Sequence, residues 1–283
     1  MSSGEYLIRN MTFPETETAI ARAKGEGWNP GIYDREAFYA ADSTGFITGI
    51  LNNEPIGCIS AVKYGKEFGF IGFYIVKEEY RGKGYGLKLW NHAMESLRNR
   101  TIGLDGVVEQ QDNYRKSGFR LAYRNIRFRT YGTGESYTDK HLLPYSNQLH
   151  QALSAYDRKH FGYDRDEFLT KWYTQPESKS IIYLRNGNIL GCGMLRKCYS
   201  GYKIGPLFAD EPGIAEEIIY GLLSKVDKFT DVYFDPPEVN AAALSITEKY
   251  NMTKVFETAR MYAGDAPDLP VKNIYGVTSF ELG

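Results

Sequence analysis

Arg81-Gly82-Lys83-Gly84-Tyr85-Gly86 stands between an apolar run, Phe68 to Val76, and a segment in which Leu87, Trp90, Met94 and Leu97 recur at helical spacing. A glycine-rich turn in that place lets successive backbone N–H groups face one anion, and the dipole of the following helix adds to the attraction. The stretch therefore reads as a phosphate cradle. Its spacing differs from the common nucleotide loops. A Walker loop needs Gly-Lys followed by Ser or Thr, whereas Lys88 is followed by Leu89, and the Gly-x-Gly-x-x-Gly loops place their third glycine one residue later than Gly86.

Outward from the cradle, the first 130 residues mix strand and helix signals. Tyr6 to Met11 is extended, Pro14 opens a helix that stops near Gly25 and Gly27, and a second short helix is expected from Asp34 to Ala41. Three strand-like runs, Gly45 to Leu51, Ile56 to Tyr64 and Phe68 to Val76, are joined by Asn52-Asn53 and Gly65-Lys66, which predicts an antiparallel meander. Beyond the cradle helix come a strand (Thr101 to Leu104), a short helix (Gln110 to Lys116) ended by Gly118, and two more strands between Phe119 and Tyr131. Gly132 to Lys140 reads as a linker with little to pack.

The second half then reads like the first. A shift of 134 lays Pro55-Ile56-Gly57-Cys58 on Ile189-Leu190-Gly191-Cys192, and a shift of 133 lays Lys116-Ser117-Gly118-Phe119 on Lys249-Tyr250-Asn251-Met252 and Arg127 on Arg260. The shared register points to an internal duplication, with two unrelated α+β domains as the alternative. The same alignment sets Ala215 to Tyr220 where the cradle was, so carboxylates and bulky side chains replace Arg81 and the glycines, and this copy is expected not to bind a phosphate. The chain of 283 residues thus divides into domains 1–135 and 141–283, each α+β with a mixed, mostly antiparallel sheet flanked by helices.

Arg-x-x-Gly-x-Gly after a strand ending in Tyr74-Ile75-Val76, with an amphipathic helix behind it, resembles the signature of the GNAT N-acetyltransferase family. Tyr114-Arg115-Lys116-Ser117-Gly118-Phe119 is similar to that family's Tyr-x-x-x-Gly-Phe block. Gly103 to Val107 and the ending Tyr275 to Gly283 resemble a two-domain subgroup, in which a catalytic GNAT domain precedes a degenerate GNAT-like one. Lys77-Glu78-Glu79 departs from the family pattern by lacking its usual proline.

The resemblance implies acetyl-CoA as cofactor, CoA as product and a primary amine as acceptor, attacked directly without an acyl-enzyme. It implies that Arg81, Gly82, Lys83, Gly84, Tyr85, Gly86 and Leu87 hold the pyrophosphate. Tyr74, Ile75 and Val76 would hold pantetheine, in a splay between this strand and the next. The Tyr74 backbone N–H would stabilise the oxyanion, and Tyr114 would protonate the departing thiolate, a role suited to a phenol that keeps its proton at neutral pH. For the base, Glu109 is the first candidate and Asp42 the second; each has an alternative as a solvated or capping carboxylate. Trp28 falls where the family builds its acceptor lid.

A net charge of -1 supplies no field for a nucleic acid or an anionic membrane, and no stretch suits a signal peptide or a membrane span. Three cysteines, an odd number, without metal-ligand spacing argue against disulfides and zinc, fit a cytoplasmic protein, and leave no metal site. Cys58, inside a strand run, reads as a small hydrophobe. The acceptor, a small molecule or a peptide, and the oligomeric state are left open, as are a non-catalytic acyl-CoA-binding regulator and a transferase for a longer acyl chain.

Overall fold

The Asn52-Asn53 turn has both residues at positive φ (49° and 67°), the geometry that joins two twisted strands with a two-residue loop. In the computed structural model, which describes residues 5–283, that turn sits in a first half built from β1 (Tyr6–Asn10), α1 (Thr16–Gly25), α2 (Asp34–Ala41), β2 (Phe46–Leu51), β3 (Glu54–Tyr64) and β4 (Phe68–Val76). It continues through α3 (Tyr85–Ser96), β5 (Thr101–Val107), α4 (Gln111–Lys116) and β6 (Arg120–Tyr131). The second half repeats the order: β7 (Leu142–Leu143), α5 (His150–Phe161), α6 (Asp166–Trp172), β8 (Lys179–Arg185), β9 (Asn188–Lys197), β10 (Tyr202–Ala209), α7 (Pro212–Leu223), β11 (Asp231–Phe234), α8 (Ala241–Lys249) and β12 (Thr253–Ala263), followed by β13 (Ile274–Gly276). The element order matches the duplication read from the sequence.

Three details differ from expectation. The stretch from Phe119 to Tyr131 holds one strand, the twelve residues Arg120–Tyr131, not two, because the break is a register shift opposite Arg260 and Met261 instead of a turn. β5 runs on to Val107 instead of stopping at Leu104, since a neighbouring strand pairs with it over that length. The segment 132–140 is docked: the N–H groups of Gly132, Thr133 and Gly134 donate to the carbonyls of Thr230, Leu223 and Val226, and Tyr137 packs edge-on against Tyr220 at 4.8 Å.

The strands form one continuous sheet in the order β1-β2-β3-β4-β5-β12-β6-β11-β10-β9-β8-β7, with β13 beside β10. Two independent units would each keep the long final strand beside its own preceding strand. Here β12 enters between β5 and β6 and pairs antiparallel with both, while β6 pairs with β11. The halves have exchanged their last long strands. One face of the sheet carries a single core to which both halves contribute, including Ile20 and Phe38 of α1 and α2, Leu153 and Trp172 of α5 and α6, and Phe280 and Leu282 of the tail. The other face carries two separate cores, one under α3 and α4 and one under α7 and α8.

Each exchanged strand brings an arginine to a buried aspartate of the other half. Arg127 on β6 donates from Nε and Nη2 to Asp235 at 2.7 Å each, and Arg260 on β12 donates likewise to Asp105 on β5 at 2.8 and 2.6 Å. Removing one partner of such a pair strands a charge away from water. Arg260→Ala is expected to cost about 3–5 kcal/mol of unfolding free energy, read from the midpoint and slope of a urea titration; a loss typical of a surface pair would show that the exchange does not depend on it.

Candidate active site

β4 and β5 run parallel and paired only from Phe68–Thr101 to Ile71–Leu104. Past that point β5 pairs with β12 on its other side, and β4 continues against β3 alone, with a register break opposite Cys58 and Ser60 and Phe73 held at φ 48°. The two strands part, and a cavity of about 790 Å³ fills the gap, walled by Gly72 to Val76 on one side and Leu104 to Val107 on the other.

At the Val76 end the cavity meets the glycine turn. Gly82 and Gly84 lie at φ 74° and 84°, and a Cβ at either would meet open space, so their requirement is conformational. Gly84 caps α3 without any side chain closing the helix start, which leaves the first-turn N–H groups facing outward. Gly86 answers a different need, since a Cβ there would lie 2.8 Å from the Tyr74 hydroxyl. Arg81 ties the turn down by donating from Nε to the Val76 carbonyl at 2.8 Å and pairing with Glu26 beyond α1. The side chains of Lys83 and Tyr85 lie over Tyr80 and against Tyr6, outside the cavity lining.

Tyr114 projects from α4 into the cavity wall, its ring 5.6 Å from Trp90 and laid over Gly106, where a Cβ would come within 2.2 Å of it. Burial first, and the neighbouring Tyr74 phenol second, push its pKa up to about 12. Glu109 also lines the cavity, exposed on the turn before α4, and Trp28 lines it from the loop after α1. Asp42 does not. It closes the end of α2, accepting from the Thr44 N–H at 2.9 Å and the Lys63 N–H at 3.1 Å, and it lies 3.5 Å from the Lys63 ammonium. Cys58 is buried, donates to the Phe73 carbonyl at 3.2 Å, and has its thiol pKa pushed up to about 12 by burial, which removes the nucleophilic thiolate.

Reading the halves apart missed Phe256 and Thr258 of β12 and Phe280 and Glu281 of the tail, all of which line this cavity. Their approach is close: a Cβ on Gly72 would lie 2.0 Å from the Glu281 carbonyl. The tail is anchored by the Tyr64 hydroxyl donating to the Leu282 carbonyl at 2.9 Å. The ending Tyr275 to Gly283 carries the resemblance to the two-domain subgroup, but its sequence does not say which strand it reaches.

The corresponding place in the second half is also not as aligned. Ala215 to Tyr220 lies inside α7, and the loop itself is missing: two residues, Asp210 and Glu211, join β10 to α7, where eight, 77 to 84, join β4 to α3. The deletion shifts the register by several residues, which is why the alignment placed helix on loop. No glycine turn precedes α7, and Pro212 occupies its start.

Replacing Gly106 with Ala should force the Tyr114 ring aside. Overpacking of this kind is expected to cost about 1–3 kcal/mol of unfolding free energy, read from a urea titration; an unchanged midpoint would show that the ring makes room for the methyl without strain.

Residues 12–119 match the model described as the Acetyltransferase (GNAT) family, and residues 153–276 match an Acetyltransferase (GNAT) domain. The holothin acyltransferase of Pseudoalteromonas sp. (strain SANK 73390) is 30% identical over 267 residues, covering 94% of this chain and 90% of that protein. An uncharacterized N-acetyltransferase of Bacillus subtilis (strain 168) is 27% identical over 173 residues, 60% of this chain and 61% of its own. Among solved structures, a putative acetyltransferase from Pyrococcus horikoshii superposes with a TM-score of 0.84 at 24% identity, over 100% of this chain and 97% of that one. A tandem GNAT protein from the clavulanic acid biosynthesis pathway superposes with a TM-score of 0.61 at 11% identity, over 93% of this chain and 100% of its own. With an acyltransferase relative along nearly its whole length and a family match in each half, the chain belongs to the GNAT acyltransferase family as a two-domain member.

Proposed function

We propose that this enzyme transfers an acetyl group from acetyl-CoA to a primary amine by direct attack. The observation that carries the reading is the parting of β4 from β5, which leaves a cavity with a glycine turn at one end and Tyr114 in its wall. The backbone amides from Gly82 to Leu87 suit a pyrophosphate, because two of the glycines adopt left-handed φ and the helix start behind them has no side-chain cap. The edge of β4 from Tyr74 to Val76, unpaired on the β5 side, suits the extended pantetheine arm. The thioester supplies the activated acyl carbon; the chain supplies its orientation and its protons. The Tyr74 N–H would donate to the developing oxyanion, and Tyr114 would give its proton to the leaving sulfur. Domains 1–135 and 141–283 then serve as units of duplication, with the second contributing wall and strand to the first.

A raised pKa suits the acid. With its midpoint at about 12, Tyr114 stays protonated where an ordinary tyrosine, of pKa about 10, would be half ionised. Tyr114→Phe is expected to lower acetyl-CoA thiol release, followed with a chromogenic disulfide, by about 10²- to 10⁴-fold, while acetyl-CoA binding by calorimetry is kept. The wild-type turnover should show no alkaline fall attributable to this group up to about pH 10. A phenylalanine variant with full turnover would overturn the assignment of the acid, and absence of any acetyl-CoA binding would overturn the donor.

A further inference from the structure

Two polar atoms in the wall formed by the second half have no protein partner. Glu281 Oε2 and Thr258 Oγ1 meet no hydrogen-bonding group among the described residues, although Glu281 and Thr258 are only 3% and 2% exposed and both line the cavity. A buried polar atom without a partner is costly, and because Glu281 and Thr258 belong to the cavity lining, a ligand's polar atom there can supply one. Glu281 lies against Gly72, where β4 and β5 separate, at the end of the cavity's β4 wall away from the glycine turn. The surfaces near it are aromatic: Trp28, Phe73, Phe256 and Phe280.

Three buried cations lie within electrostatic reach of Glu281, one from each of β6, β9 and β10: Arg127, Arg196 and Lys203. Arg127 is held by Asp235, and Arg196 by Asp34 at 3.0 Å, although both Arg196 Nη atoms lack partners. Lys203 donates to the Asn29 carbonyl at 3.0 Å and has no carboxylate of its own. A purely structural Glu281 would therefore be the counter-charge of Lys203. That role accounts for its charge but not for its place in the cavity wall beside Thr258.

We infer that Glu281 holds the acceptor's ammonium and takes its proton, with Thr258 as a second polar contact, and that the acceptor is a compact amine with a flat, apolar body. This rests on the acyl-transfer reading. The protons balance as follows. The ammonium gives one proton to Glu281, which passes it to solvent, and the freed nitrogen lone pair forms the C–N bond. As the C–S bond breaks, Tyr114 protonates the sulfur, and the proton lost from the acylated nitrogen restores Tyr114. The net products are amide, thiol and one proton.

The test compares acetyl-CoA thiol release by wild type and Glu281→Gln with two kinds of flat-bodied amine: phenethylamine and tryptamine, protonated at about pH 7, and aniline and 5-aminoindole, whose aryl amines are already neutral there. The expected result is a loss of about 100-fold or more with the alkylamines, recovered as the pH rises toward the amine's own pKa, and a change of only a few-fold with the arylamines. A counter-charge for Lys203 would affect both kinds alike, so equal losses overturn the inference, as does no loss. If Glu281→Gln does not fold, Glu281→Asp is read by the same difference between amine kinds. A wild type that binds acetyl-CoA but neither binds nor acylates any of these amines overturns the acceptor class. A wild type that binds no acetyl-CoA instead brings down the underlying acyl-transfer reading.

Discussion

Arg127 and Arg260 occupy matching places in the two halves, and each reaches with a two-pronged hydrogen bond to a buried aspartate of the other half. The guanidinium fork fixes both the distance and the angle of its partner, so each pair sets the register of an exchanged strand as well as its neighbour. Asp105 is further held by the Asn125 amide at 2.8 Å, which brings β5, β6 and β12 to a single carboxylate. Buried ion pairs are weak evidence of net stability, because desolvation offsets most of the attraction. Their effect here is one of selection: any arrangement that leaves one of these four charges unmatched inside the sheet is excluded.

The site follows from that constraint. β5 can turn its back on β4 after Leu104 only because β12 takes up its other edge, and the same strand brings Phe256 and Thr258 to the cavity. The chain after β12 then returns across the shared face, where the Arg165 guanidinium, paired with Asp157, donates to the Thr278 hydroxyl at 2.8 Å and fixes the tail next to Gly72. The glycine turn, Tyr74 to Val76 and Tyr114 all come from the first half in sequence. Four lining residues, Phe256, Thr258, Phe280 and Glu281, come from the second, which has lost its own glycine turn yet completes the cavity of its partner.

What could be read in the sequence was local. The glycine turn, the Asn52-Asn53 hairpin and the short helix carrying Tyr114 each depend on residues within one or two elements, and the structure places them as read. The strand exchange depends on a choice that the duplication itself obscures. Asp105 would be matched as well by Arg127 as by Arg260, so the repeated arginine, visible at a shift of 133, requires a pairing without saying which. The asymmetry lies in parts that occur once. Gly132 to Gly134 dock on the end of α7, and Arg124 of β6 exchanges hydrogen bonds with Glu238 after β11, both of which hold β6 on the second half's side.

The carboxylates give the same lesson at the level of single residues. Asp42 and Glu109 are the two carboxylates that the first half offers as bases, yet only Glu109 lines the cavity, and Asp42 closes a helix end. Glu281, more than 200 residues from β4 in sequence, is in the cavity wall because two strands have traded places and the tail follows one of them. Proximity in sequence is a good guide to a group that a single loop presents, such as the amides of Gly82 to Leu87. It is a poor guide to a group whose position is set by the far end of an exchanged strand, and in this fold Phe256, Thr258, Phe280 and Glu281 of the cavity lining are such groups.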